Sequence, residues 1–286
     1  MSIHSLKMHE NERSLQPIGV FDSGIGGLTV VRALRDLLPH EDIFYIGDTA
    51  RLPYGGKSKS TIERYSIEIS GLLLAENAKM IVVACNTSSS LAISKLQEIL
   101  KVPVVGVIAP GARAAVKVTR IDHVGVIGTK STIQSEAYER AIQALNPAVR
   151  VTSQACPLLV PLVEEAWLEE EVTREVLHRY LDPVIDSGID TLVLGCTHYP
   201  LLAPLIQEVS GPGVRLVDSA KNCAVAVKQT LLECGLENLT EVAGKLNVAL
   251  TDSSNSFLVT ARQALQLEIN SLETRIVQGV VLLETA

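Results

Sequence analysis

From Ile18 onward, short runs of Val and Ile alternate with longer stretches in which apolar residues recur every three or four positions. The first pattern suits a strand buried on both faces, the second an amphipathic helix. The alternation predicts strands at 18–21, 42–46, 80–84, 104–108, 123–127, 149–152, 191–194, 214–217 and 247–250. Helices are predicted at 26–37, 60–77, 88–100, 131–145, 171–187, 202–209 and from 219 to 234, with a last strand near 275–283. Strands that take turns with helices build parallel sheets through βαβ crossovers, so the fold class is α/β.

The pattern also restarts. Ile18-Gly19-Val20-Phe21-Asp22-Ser23 matches Val124-Gly125-Val126-Ile127-Gly128-Thr129, 106 residues later. Val82-Val83-Ala84-Cys85-Asn86-Thr87 matches Val193-Leu194-Gly195-Cys196-Thr197-His198 at a step of 111, and Pro103–Gly106 falls opposite Val214–Val217 at that same step. Three matches in order indicate an internal duplication. Any parallel strand is rich in Val, which accounts for the apolar halves of these matches. It does not account for a cysteine at the corresponding strand end in each half.

Composition narrows the partner. Of 286 residues, 47% are apolar and 20% charged, which excludes disorder and supplies ample core. Aromatic residues make up only 3%, and 25 basic against 32 acidic residues leave a net charge of −7 with no basic stripe. Neither base stacking nor a phosphate-binding groove is favoured, so no nucleic acid and no anionic membrane is expected and a small molecule becomes the default ligand. The first seventeen residues are polar and lack the apolar core of a secretory signal, and they read as a flexible extension; the longest apolar runs are too short to span a bilayer. The expected location is cytoplasmic. Five cysteines with no CxxC pair suit neither a disulfide framework nor structural zinc.

Ligands of open parallel sheets gather beyond the carboxyl ends of the strands. Here those ends carry Asp22-Ser23, Gly47-Asp48, Cys85-Asn86-Thr87, Thr129 and Cys196-Thr197-His198. One cysteine after an apolar strand is ordinary packing. Two at equivalent ends of duplicated halves put thiols on opposite sides of anything held between them. Opposed thiols suit removal of a proton from one face of a carbon and delivery to the other, which is racemisation or epimerisation. Asp22 and His198 stand nearest to tune them, while Asn86, Thr87, Thr197 and helix-start amides could hold a carboxylate. Glu164 differs from the solvated acidic run around it because it adjoins the apolar segment 157–163. Cys156, Cys223 and Cys234 read as packing, and His40, His123 and His178 as surface or helix-end residues.

Other motifs fail. Gly24-Ile25-Gly26-Gly27-Leu28-Thr29 has Thr29 where a dinucleotide fingerprint needs its third glycine, and reads as a tight turn into a helix. Gly56-Lys57-Ser58 lacks the first glycine of a phosphate loop, since Arg51 stands there. No metal site is expected, because Cys196-x-His198 offers two ligands without a second pair.

Four stretches, Phe21–Leu28, Tyr45–Gly55, Ala84–Thr87 and Leu194–Pro200, closely resemble the glutamate racemases of the aspartate/glutamate racemase family. The likeness runs from about Ile18 past Asp218. It implies cofactor-independent interconversion of L- and D-glutamate, supplying D-glutamate for peptidoglycan. By the same likeness Cys85 would deprotonate D-glutamate with Asp22 assisting, and Cys196 would deprotonate L-glutamate with His198 and Glu164 assisting. Ser23, Tyr54, Gly55, Asn86, Thr87 and Thr197 would hold the amino and α-carboxylate groups, with Thr129 and Thr132 near the side-chain carboxylate. It further implies two pseudo-symmetric domains, each a parallel-sheet βα sandwich, facing across an active-site cleft: 18–109 with 219–286, and 110–218. A homodimer is expected. The thiol pair alone leaves open an aspartate or hydantoin racemase, and the fold alone a non-catalytic amino-acid-binding protein; a pyridoxal-dependent racemase is opposed by the thiol pair.

Overall fold

The computed structural model describes residues 12–252 and 265–277. The chain runs β1 (Ile18–Asp22), α1 (Leu28–Leu37), β2 (Ile43–Gly47), α2 (Lys59–Ala75), β3 (Met80–Val83), α3 (Asn86–Leu91), α4 (Ile93–Ile99), β4 (Val104–Gly106) and α5 (Ile108–Val118). It continues with β5 (His123–Gly128), α6 (Lys130–Gln134), α7 (Ala137–Leu145), β6 (Arg150–Ala155), α8 (Leu159–Glu164), α9 (Glu171–Asp186), β7 (Thr191–Gly195) and α10 (Ala203–Ser210). It ends with β8 (Arg215–Asp218), α11 (Ser219–Cys234), β9 (Leu246–Leu250) and β10 (Ser271–Thr274).

Two parallel sheets result, one of six strands in the order β10-β9-β2-β1-β3-β4 and one of four in the order β6-β5-β7-β8. The four-stranded order repeats the β2-β1-β3-β4 portion of the larger sheet, as the sequence repeat requires. The register agrees residue by residue at the centre: Ile18 pairs with Met80, and Val124, its counterpart, pairs with Thr191. At the next strand the match slips. Ile81 pairs with Val104 while Leu192 pairs with Leu216, so β4 and β8 correspond at a step of 112 rather than 111. A Val-rich strand aligns almost equally well one residue either way, and only the ladder decides.

The central strands of both sheets are covered on both faces, which is why they carry little polarity. In β1, Ile18 and Val20 point to a core shared with Val31 and Leu34 of α1 and Val227 and Leu231 of α11, while Phe21 points to Ile69 and Leu73 of α2. In the smaller sheet, Val124 and Val126 meet Ala112, Ala115 and Ile142 of α5 and α7, and Ile127 meets the side carrying Leu177 and Leu181 of α9. Among the described residues, no helix is long and apolar enough to cross a membrane.

Several expectations are corrected. The stretch 88–100 is two helices meeting at Ala92, and 131–145 is broken at Glu136, whose φ of 54° cannot continue a helix. α5 and α8 were not predicted. Each has a proline at its third position, Pro110 and Pro161, which reads as a breaker; in the first turn a proline sacrifices no intrahelical hydrogen bond. The last strand is Ser271–Thr274 and ends before Arg275; its four residues are all exposed, so hydrophobicity gave no signal. Positions 278–283 of that expected strand lie outside the described residues. His123 is buried, bonded through Nε2 to Thr152 Oγ1 at 2.8 Å, and Cys234 is exposed. Residues 1–11 are not described, but the end of the extension is fastened: Lys79 Nζ donates to the Ser14 carbonyl and to buried Glu41, and Lys79 N to the Pro17 carbonyl at 3.0 Å.

Candidate active site

At the carboxyl ends of the central strands a cavity of about 370 Å³ opens between the two sheets, lined by residues of both. From the six-stranded side come Ser23, Tyr54, Gly55, Cys85, Asn86 and Thr87; from the four-stranded side come Thr129, Glu164, Cys196, Thr197 and His198. Eleven of the thirteen residues singled out from the sequence therefore face one space. The other two stand behind its wall. Asp22 is fully buried, and Thr132 reaches the cavity only through hydroxyls, its Oγ1 being 3.0 Å from that of Thr129 and 3.4 Å from that of Thr87.

The local folding of each wall follows from its sequence. Asp22 ends β1, and its Oδ2 accepts from the amides of Gly24 at 3.2 Å and Gly27 at 2.9 Å, which turns the chain into α1. Gly26 has to be glycine: a Cβ there would collide with His198 Nδ1 and Thr197 Oγ1 from the opposite side. The failed nucleotide fingerprint is thus a point of close approach between the halves. Gly55 serves alike, because a Cβ would lie 2.6 Å from that of Thr129. Its carbonyl accepts from Ser131 N at 3.0 Å and Ser131 Oγ at 2.9 Å, and Thr87 Oγ1 meets Thr129 Oγ1 at 2.9 Å. These bonds close the cleft on that side.

The Tyr54 hydroxyl is not available to a ligand. It donates to Asp48, which also accepts from Arg51 Nε at 2.7 Å and Thr251 Oγ1 at 2.8 Å. What Tyr54 offers the cavity is its ring and backbone.

The two thiols sit in different electrostatic settings. Cys85 precedes the first turn of α3. Burial and then the Asp22 carboxylate push its thiol up to about 12, against the Ser88 amide, which favours the anion. Burial likewise raises Asp22, against the His198 charge and the amides of Gly24, Gly27 and Ser23. Cys196 Sγ lies 3.9 Å from His198 Nδ1, and His198 Nε2 lies 2.7 Å from Glu164 Oε1. Burial by itself would lower the His198 imidazole, yet the Cys196 sulfur and the Glu164 carboxylate outweigh it and push it up to about 10. At neutral pH His198 is an imidazolium that faces a sulfur on one side and a carboxylate on the other.

Several wall residues carried no sequence signal. Lys130 places an exposed side chain beside Thr129, and Leu52, Pro157, Val160 and Pro161 supply apolar surface. The run 157–163 was legible as apolar but not as a wall, since its helix was hidden by Pro161. A larger groove of about 630 Å³, between α1, α11 and residues 200–204, holds neither thiol. Volume alone does not mark the site.

Two sheets of duplicated order with a thiol at each inner strand end define an α/β isomerase fold, and the chain belongs to the Asp/Glu/Hydantoin racemase family, whose profile matches residues 28–229. Within that family its relatives are narrower in kind. The glutamate racemase of Syntrophus aciditrophicus is 52% identical over 245 residues, covering 86% of this chain and 91% of that protein. Among solved structures, glutamate racemase RacE1 from Bacillus anthracis superposes with a TM-score of 0.87 at 40% identity, covering 92% of this chain and 97% of that one. Glutamate racemase from Francisella tularensis, solved in complex with D-glutamate, also gives 0.87, at 37% identity over 93% of this chain and all of that one.

Proposed function

We infer that the chain interconverts L- and D-glutamate, and that Cys85 and Cys196 are the two bases. The observation that carries the reading is a pair of thiols from corresponding strand ends, β3 and β7, on opposing walls of one cavity. In the L-to-D direction the Cys196 thiolate, facing the His198 imidazolium, removes the α-proton. The electron pair left on Cα is delocalised into the α-carboxylate, and the Cys85 thiol donates its proton to the opposite face. Cys85 ends as thiolate and Cys196 as thiol, and the reverse reaction restores both. The high position of the Cys85 thiol keeps it protonated in the resting enzyme, as a proton donor must be. Glu164 holds the imidazole in place, and Asp22, out of contact with the cavity, acts on Cys85 through its charge.

Asn86, Thr87, Thr197 and Ser23 hold the amino and α-carboxylate groups, and Gly55 and Thr129 line the side-chain end, with Thr132 supporting Thr129. The glutamate racemases of Bacillus anthracis and Francisella tularensis share this fold, and the Francisella protein was solved in complex with D-glutamate. We further propose that residues 18–109 with 219–286 and residues 110–218 form the two lobes, that the protein works in the cytoplasm where peptidoglycan precursors are made, and that it assembles as a homodimer. The test is circular dichroism of L-glutamate with purified protein and no added cofactor, run beside aspartate, with mass spectrometry in D₂O. Ellipticity should decay to zero for glutamate and deuterium should enter Cα from either enantiomer. A folded sample that produces neither sinks the reading.

A further inference from the structure

Asn86 has a buried amide whose two ends are in different states. The residue is 2% exposed, its Oδ1 accepts from the Tyr138 hydroxyl at 2.8 Å, and its Nδ2 has no partner among the described residues. A half-turn about the last side-chain bond would exchange the two and put an acceptor where the unpartnered donor now stands, on a residue that lines the cavity, where an anion needs a donor. The bond from Tyr138 is what forbids that turn.

Tyr138 lies on α7, 52 positions away and on the side of the other sheet. A Cβ at Gly195 would come within 3.1 Å of its ring, and one at Gly111 within 3.2 Å of its hydroxyl and 3.4 Å of the Ser219 Cβ. Ser219 donates a hydrogen bond to the same hydroxyl. The phenol thus gives its proton to Asn86, receives one from Ser219, and is wedged between α5 and the start of α11, where the chain passes between the sheets. It does not line the cavity.

We propose that Tyr138 is a positioning residue for substrate binding: its hydroxyl locks the Asn86 amide so that Nδ2 points into the cavity and donates to the substrate α-carboxylate. This rests on the reading above that Asn86 holds that carboxylate. Tyr138→Phe keeps the ring against Gly111 and Gly195 and removes only the hydroxyl. A double-mutant cycle with Asn86→Ala, read as KM and kcat for glutamate and as D-glutamate affinity by calorimetry, separates positioning from general structure. Tyr138→Phe should raise KM and weaken affinity about 10-fold with kcat within about 2-fold, and Asn86→Ala should do so by about 10- to 100-fold, the range of a hydrogen bond to a charged group. The double variant should be no worse than Asn86→Ala. Unchanged KM and affinity in Tyr138→Phe, or effects that multiply in the double variant, would overturn the proposal. Should Tyr138→Phe fail to fold, Ser219→Ala, which only loosens the hydroxyl, carries the cycle: a rise in KM of about 2-fold, absent in the Asn86→Ala background, is expected, and its absence or its persistence there overturns the proposal. If glutamate binds but is not racemised, the functional reading fails while calorimetry still decides the role of Tyr138; if it does not bind, both fail.

Discussion

Cys85 and Cys196 end corresponding strands of duplicated sheets, yet nothing beyond the backbone is alike around them. Cys85 meets the amide and the hydroxyl of Ser88 and a buried carboxylate, Asp22. Cys196 meets an imidazolium fixed by Glu164. A symmetric scaffold therefore carries asymmetric electrostatics: burial and the Asp22 carboxylate push one thiol up, and an imidazolium held by Glu164 stands beside the other. Duplication supplied two opposed thiols, and divergence supplied the difference in charge around them.

The largest effect should come from removing either thiol. Cys85→Ala and Cys196→Ala should each lower racemisation by about 10³-fold or more, since each removes a general acid/base outright. Near-normal turnover in one of them would end the two-base comparison. A finer probe is His198→Asn, which strips the second half of its distinguishing feature and should lower kcat/KM by about 10²-fold. Because L- and D-glutamate are equal in free energy in water, kcat/KM must fall equally in both directions, so the asymmetry has to be sought elsewhere. It should appear in primary isotope effects: that on α-deuterated L-glutamate rises, as proton transfer to Cys196 becomes limiting, while that on the D-enantiomer shrinks. Equal changes would mean that His198 does not belong to the Cys196 half.

The smallest effect is on stability. His198 sits at about 10 in the folded protein against 6.5 for an ordinary histidine. A raised value means that its contribution is complete below about pH 6.5 and fades as pH rises toward 10. The difference in Tm between the unsubstituted protein and His198→Asn should shrink across that window. A difference that stays constant from pH 6.5 to 10 would show that the imidazolium is not held as the geometry implies.

The duplicated strands and the paired cysteines were legible because parallel strands buried on both faces leave a strong apolar imprint and because strand ends are where side chains escape the core. α5 and α8 were not, since Pro110 and Pro161 look like breakers unless their place in the first turn is known. Residue identity announced Tyr54 and Asp22 without saying which way they face: the Tyr54 hydroxyl is spent on Asp48, and Asp22 is sealed behind the wall. The bond from Tyr138 to Asn86 joins residues 52 positions apart across the two sheets, and that from His198 to Glu164 joins residues 34 apart by packing α8 against the loop after β7; neither contact is local in the sequence.

Asp22 binds across the cleft as well as within its own turn, for the Thr197 hydroxyl lies 3.3 Å from its Oδ1. Its carboxyl is raised because it is dry. Any motion that parts the halves takes Thr197 away and lets water reach Asp22, and a hydrated carboxylate returns toward its ordinary acidity. The carboxyl that bears on the Cys85 thiol is thus dry only while the two walls stay in contact, so the proton affinity of a thiol in one half depends on a bond made to the other.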